Sequence, residues 1–265
     1  MLVGADGIHS TVRAAFYPNE GPPRFGGRLM RRAAVEIPPF LDGRTMVVVG
    51  HRDQKLLAYP MARRPGGLVL TNWLTELSVG SDTPPVADWS RRVDRDVFAS
   101  RFASWTFPWL DVPALIAATP EVFEFPKVDR DSIPRWTFGR VTLLGDAAHP
   151  MHPSGSQAGS QAIVDAAVLA RALSQDGPEA GLERYEAERL PAMREVTLRN
   201  RRLGPEEMTQ IVEERAPAGF ADVEDVISRG EMEELTASFS RTAGIDRDTL
   251  NATAPIVAGL RPATR

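Results

Sequence analysis

The chain has 265 residues, a formal net charge of −4 and no cysteine. That length supports one large core or two. The charge gives no electrostatic case for nucleic acid or an anionic membrane, and the missing thiols exclude disulfides and thiol chemistry. No apolar run approaches the ~20 residues of a membrane span. Residues 1–7 carry no signal-peptide pattern, so a cytosolic globular protein is expected.

In chain order, residues 2–4 read as a short strand and residues 10–16 as a helix with Ser10 as N-cap. Residues 28–36, 45–50, 55–59 and 68–74 are apolar or β-branched runs. Pro38-Pro39, Asp42-Gly43, residues 51–54 and residues 64–67 punctuate them, which predicts a meandering, largely antiparallel sheet. Trp89, Val93, Val97 and Phe102 have helical spacing over residues 88–103. Residues 109–118 predict a second short helix, residues 121–125 a strand and residues 127–135 a charged loop. Residues 141–144 are a buried strand. A helix from near Ser160 carries Ala162, Ala166, Leu169, Ala170 and Leu173 on one stripe. Residues 181–202 predict a long helix that Pro191 should kink or break. Further helices are expected over residues 205–214, 223–228 and 231–243, with a frayed tail over residues 255–265.

Residues 140–165, GRVTLLGDAAHPMHPSGSQAGSQAIVD, are the most informative stretch. A buried strand ends at Gly145-Asp146, a loop with two prolines and two glycines follows, and a helix begins. In open α/β sheets ligands gather beyond the carboxyl ends of the strands, so this order of residues suits a nucleotide cofactor. A charged acceptor such as Asp146 would hold sugar hydroxyls more strongly than a neutral one. His149 and His152 have no neighbouring carboxylate or thiolate that completes a metal set. Asp165 has two readings, an anchor for the loop or a surface acid.

GDAAHPMHP with its downstream glycines resembles the second FAD fingerprint of single-component, FAD-dependent aromatic-ring monooxygenases, and LVGADGIHSTVR (residues 2–13) resembles their Asp-Gly motif. Residues 200–205, 214–220 and 243–251 resemble the branch of phenazine- and salicylate-hydroxylase-like enzymes. The resemblance departs at Ala158, where relatives carry glycine. It implies a mixed α/β (α+β) fold: an incomplete FAD-binding Rossmann-like domain, an inserted antiparallel substrate-domain sheet and a C-terminal helical segment. The expected divisions are residues 1–27, 28–126, 127–176 and 177–265.

The resemblance implies FAD as cofactor and NAD(P)H as co-substrate. It further implies hydroxylation of a small aromatic substrate with O2 through a C4a-hydroperoxyflavin. Asp6, Gly7 and Arg13 would serve the cofactor from the Asp-Gly motif. Gly145, Asp146, Pro153, Gly155, Ser156, Gly159 and Ser160 would serve it from the second fingerprint, Gly155 and Gly159 by letting backbone N–H groups approach the ring. Met30, Tyr59, Trp73 and Phe125 are strand-borne candidates for an aromatic pocket. No nucleic-acid or membrane partner is expected, and a homodimer stays open. The chain carries no G-x-G-x-x-G triplet, the usual pyrophosphate cradle. A fragment of a longer enzyme that binds FAD weakly or not at all is therefore expected. A partner-binding relic and another flavin-dependent oxidoreductase remain as alternatives.

Overall fold

The computed structural model describes residues 1–81, 83–84, 91–202, 207–244, 246–252 and 255–256. The strands, in chain order, are β1 (Leu2–Gly4), β2 (Arg24–Ile37), β3 (Val47–Gly50), β4 (Gln54–Arg63), β5 (Val69–Ser78), β6 (Arg92–Val93), β7 (Thr106–Phe107), β8 (Leu110–Asp111), β9 (Val122–Asp129), β10 (Thr137–Phe138) and β11 (Val141–Leu143). The helices are α1 (Thr11–Phe16), α2 (Val112–Ala117), α3 (Ala158–Asp176), α4 (Pro178–Arg201), α5 (Glu207–Arg215), α6 (Arg229–Ala243) and α7 (Arg247–Ala252). They form two compact units, Met1–Arg24 with Val128–Arg265, and Phe25–Lys127. No described helix is long and apolar enough to cross a membrane.

In the first unit β1 and β11 run parallel, Leu2 opposite Val141 and Gly4 opposite Leu143, and β10 adds antiparallel to β11. Gly4 has to be glycine, because a Cβ there would lie 2.9 Å from Val12 Cβ and 3.0 Å from Leu143 Cδ2. The strand thus lies directly against α1, whose first turn is capped by Ser10 Oγ accepting from Arg13 N at 2.9 Å. Trp136, Leu143, Val168, Leu182, Tyr185 and Val196 belong to the buried core of this unit. α3 and α4 meet backbone to backbone: a Cβ on Gly181 would lie 2.8 Å from Leu173 Cα and 2.9 Å from the Ala172 oxygen. α4 continues through Pro191, where a kink or break is predicted. Arg189 and Met193 are buried on either side of that proline, so packing holds the helix where one backbone bond is lost.

The second unit holds a six-stranded sheet in the order β3-β4-β5-β2-β9-β6, in which β3–β4, β4–β5, β5–β2 and β9–β6 pair antiparallel. Strand side chains alternate between faces. On one face Ala33, Trp73 and Ala58 sit in one cross-strand row, buried with Phe98, Phe102, Leu115 and Ile116. The helix expected over residues 88–103 is absent from its described part; residues 82 and 85–90 lie outside the described residues. A strand pair, β6 with β9, and the 3-10 turns Arg95–Val97 and Ala99–Phe102 replace it. The helical spacing is misleading: Val97 is exposed, whereas Phe98 and Phe102 are the buried pair. The loop expected from Lys127 also starts later, since β9 runs to Asp129 and buries Lys127. Residues 223–228 form only the 3-10 turn Val223–Asp225. The expected helix over residues 205–214 is seen from Glu207, and most of the tail expected over residues 255–265 lies outside the described residues.

Candidate functional site: the turn after β11 and the N-terminus of α3

The chain leaves β11 through a 3-10 turn, Gly145–Ala147, with Gly145 at φ +60. A Cβ at Gly145 would press on Ala162 Cβ at 3.2 Å, so the turn needs glycine for both conformation and room. The turn is tied from behind. Asp165, on α3 and fully buried, accepts from Gly145 N at 3.1 Å, from His149 Nε2 at 2.5 Å and from Arg189 Nε at 2.7 Å. Burial alone would push the Asp165 carboxyl up; His149 and Arg189 outweigh it and hold it below its ordinary value. Of its two sequence readings, the anchor is the one observed.

Asp146 is the opposite case. It is exposed, and its carboxylate has no hydrogen-bond or ion-pair partner among the described residues. The protein crowded around it pushes its carboxyl above the ordinary value, opposed only by the charge of His149. An exposed carboxylate with free lone pairs can accept hydrogen bonds from hydroxyl donors.

The helix beyond begins at Ala158, two residues earlier than expected from the sequence, so Gly159 and Ser160 lie in its first turn rather than in the loop. The N–H groups of Ala158, Gly159 and Ser160 therefore have no acceptor within the helix. No side chain caps the end and no acid stands in the first turn. Gly159 and Ser160 are exposed, and a Cβ at Gly159 would meet nothing. Pro153 is exposed and Ser156 adopts φ +51, a left-handed conformation rare outside glycine. At Gly155 (φ +91) the expected reason for glycine changes: the close neighbour is the Phe239 ring of α6, 2.8 Å from where a Cβ would stand.

The Asp-Gly residues have supporting positions. Asp6 accepts from Ser10 Oγ at 2.5 Å, Thr11 N at 2.8 Å, Thr11 Oγ1 at 3.0 Å and Val12 N at 3.2 Å, and so holds the start of α1. Slight burial opposes these hydrogen bonds, which bring its carboxyl down to about 2. Gly7 (φ +78) turns the chain between them. Arg13 is buried and every N–H of its guanidinium has an acceptor. Nη1 donates to the Ala147 and Ala148 oxygens at 3.1 and 3.0 Å, Nη2 to the Asp131 oxygen at 3.0 Å and to Glu20, and Nε to Glu20 at 2.8 Å. The expectation that Arg13 contacts the cofactor is corrected on that ground: no donor is left, and its contact is with the turn carrying Asp146.

The strand candidates divide by face. Met30 is opposite Glu76 and Tyr59 opposite Asn72, which puts both on the face away from the core row. Trp73 points the other way; it is fully buried and donates from Nε1 to Thr119 Oγ1 at 2.9 Å. Trp73 is therefore core, not pocket. Tyr59 is half-buried with its hydroxyl 3.3 Å from Arg32 Nη2, and Phe125 is half-buried. Sequence reasoning missed Gly4, Glu20, Arg189 and Phe239. Gly4 could have been found from its place between a strand and a helix one turn on; the others act across long sequence separations and carry no local signal.

Residues 1–200 match the FAD binding domain family, and the chain belongs to that family. It is 43% identical to a phenazine 1,6-dicarboxylic acid hydroxylase of Lysobacter antibioticus over 206 residues, 76% of this chain and 50% of that protein. Identity to a 3-amino-4-hydroxybenzoate 2-monooxygenase of Streptomyces platensis is 37% over 211 residues, 78% of this chain and 50% of that protein. In fold it resembles a variant of Klebsiella pneumoniae HpxO solved with FAD, at TM-score 0.70 and 23% identity, over 93% of this chain and 61% of that one. The chain spans about half the length of the curated relatives it matches.

Proposed function

We propose that this chain holds the flavin and carries the substrate-facing sheet of an FAD-dependent monooxygenase that hydroxylates a small aromatic compound with NAD(P)H and O2. The observation that carries this reading is the unpartnered Asp146 carboxylate beside the uncapped N-terminus of α3, in a chain that belongs to an FAD-binding family. In this reading Asp146 accepts from the ribityl or ribose hydroxyls. The first-turn N–H groups of Ala158, Gly159 and Ser160 face the electron-rich edge of the ring, where the helix end favours negative charge by about 0.3–2 kcal/mol. Gly145, Gly155, Ser156 and Pro153 shape the loop between them. Asp6, Gly7 and Arg13 act through the backbone they hold.

Bound FAD supplies the redox chemistry, passing electrons from NAD(P)H to O2. The protein's part is to bind and orient the cofactor and to keep water from the reacting atoms. Met30, Tyr59 and Phe125 are the proposed substrate-facing side chains. The matched relatives are named for hydroxylating phenazine and benzoate compounds, which supports an aromatic substrate here. NAD(P)H as reductant and a cytosolic location belong to the same proposal.

The test is FAD titration of the purified chain and of Asp146→Ala, followed by flavin fluorescence. Saturable binding that the substitution weakens about tenfold or more supports the reading. Equal binding by both chains overturns the assignment of this turn.

A further inference from the structure

α6 lies beyond the stretch that matches the family, which ends at Asn200. Yet its buried side chain, Phe239, is placed on the loop leading into α3. Phe239 is buried, while Met232, Leu235 and Thr242 on the same helix are half-buried. Its ring is the closest group to the missing Cβ of Gly155, with Cζ at 2.8 Å and Cε2 at 3.1 Å, and Asn200 Oδ1 follows at 3.3 Å. Asn200 is itself buried at the end of α4; its Nδ2 donates to the His152 oxygen at 3.3 Å and reaches Met151 Sδ at 3.2 Å.

The loop has little of its own to fix it. Ser156 N donates to the Pro153 oxygen at 2.9 Å, and Gly155 and Ser156 both sit at positive φ. Ser154 Oγ, Thr197 Oγ1 and Asn200 Oδ1 are buried with no hydrogen-bond partner among the described residues. A loop so poor in internal bonds is held by what packs on it.

We propose that Phe239 is a positioning residue. Seated on Gly155 with Asn200 beside it, it latches the loop between His152 and Gln157 in the conformation that leaves the N-terminus of α3 open, and so makes the C-terminal helical segment part of the cofactor site. The latch rests on the flavin reading only for its consequence; the contact itself does not. α6 is fastened independently, by Arg199 Nη1 donating to Thr242 Oγ1 at 3.2 Å and by Arg215 to Glu231 at 2.7 and 2.9 Å. Removal of the ring therefore leaves the helix attached.

Hydrogen–deuterium exchange of the full chain tests this, with Phe239→Ala, Phe239→Leu and, as a control on the same helix, Met232→Ala. The expected result is exchange about tenfold or more faster at the amides of residues 154–157 in Phe239→Ala, with the amides of α4 unchanged. Phe239→Leu should recover most of the protection and Met232→Ala should match the parent. Unchanged loop exchange in Phe239→Ala overturns the latch, as does equal acceleration throughout α3 and α4, which is general loss of stability. With FAD as probe, Phe239→Ala should weaken affinity about fivefold to tenfold. Where the parent chain binds no FAD, as the missing glycine triplet allows, the exchange result alone decides the latch. A parent chain that binds FAD as tightly as Phe239→Ala does, with a loosened loop, removes the latch from the cofactor site.

Discussion

Removing the carboxylate of Asp165 should collapse the turn after β11, whereas removing that of Asp146 should leave it standing. Asp165→Asn strands Arg189 and His149 in the core, and a broken buried ion pair costs about 3–5 kcal/mol, read from urea unfolding. Asp146 has its pKa raised by the fold. Its contribution to stability is present below the unfolded carboxylate range and is lost as pH rises through the raised value, so the ionised form is a net cost to the fold. Asp146→Asn should therefore give an unchanged or higher Tm together with weaker FAD binding. A lower Tm would mean that the carboxylate has a partner in the fold. At Ser156, glycine should relieve a left-handed backbone, worth up to about 1 kcal/mol. A chemical denaturation midpoint that falls in Ser156→Gly would refute that strain.

Elements show how much the residues disclose by themselves. β11 and the Gly145–Asp146 turn are legible because a short apolar run and the motif after it are local. The sheet of the second unit is legible from its turn residues, but its faces are not. In β5, Trp73 and Glu76 are both buried on opposite faces, so the usual contrast of an apolar and a wet side is missing. Glu76 is paired with Lys55 at 3.0 Å and Lys127 at 2.9 Å. Burial would raise its carboxyl, but Lys55, Lys127 and Arg28 bring it down from 4.5 to about 2. A depressed carboxyl contributes stability above its unfolded value and loses it as pH falls toward the folded one. The sheet should accordingly weaken between about pH 4.5 and 2, and Glu76→Gln should abolish that part of the acid transition while lowering stability at pH 7. An unaltered acid profile in Glu76→Gln would remove the ion pairs from the account. The helix expected over residues 88–103 fails for a related reason in its described part, where Val93, Val97 and Phe102 lie in a strand edge and two 3-10 turns instead.

For the whole molecule, the two units differ in how the sequence encodes them. The first unit carries short local motifs, so its turns at Asp6-Gly7 and Gly145-Asp146 can be located from sequence, whereas the supports supplied by Arg189 and Phe239 come from far along the chain. The sheet of the second unit is marked by turn residues but not by which face is buried, which is why the pocket candidates include one core tryptophan. No glycine triplet able to cradle a pyrophosphate is present among the 265 residues. The chain loaded with FAD is therefore expected to lose its yellow colour on gel filtration. A flavin that co-elutes in stoichiometric amount would show that the contacts around Asp146 and α3 suffice.

The meeting of α3 and α4 at Gly181 bears on motion. Main chain lies against main chain at this end and the buried Asp165–Arg189 pair ties the helices further along, so the two behave as a single stiff lever. The same stiffness means that one added methyl at Gly181 would pry the lever apart near its base and swing the far end, where the N–H groups of Ala158 to Ser160 lie, out of aim without altering any residue that touches a ligand.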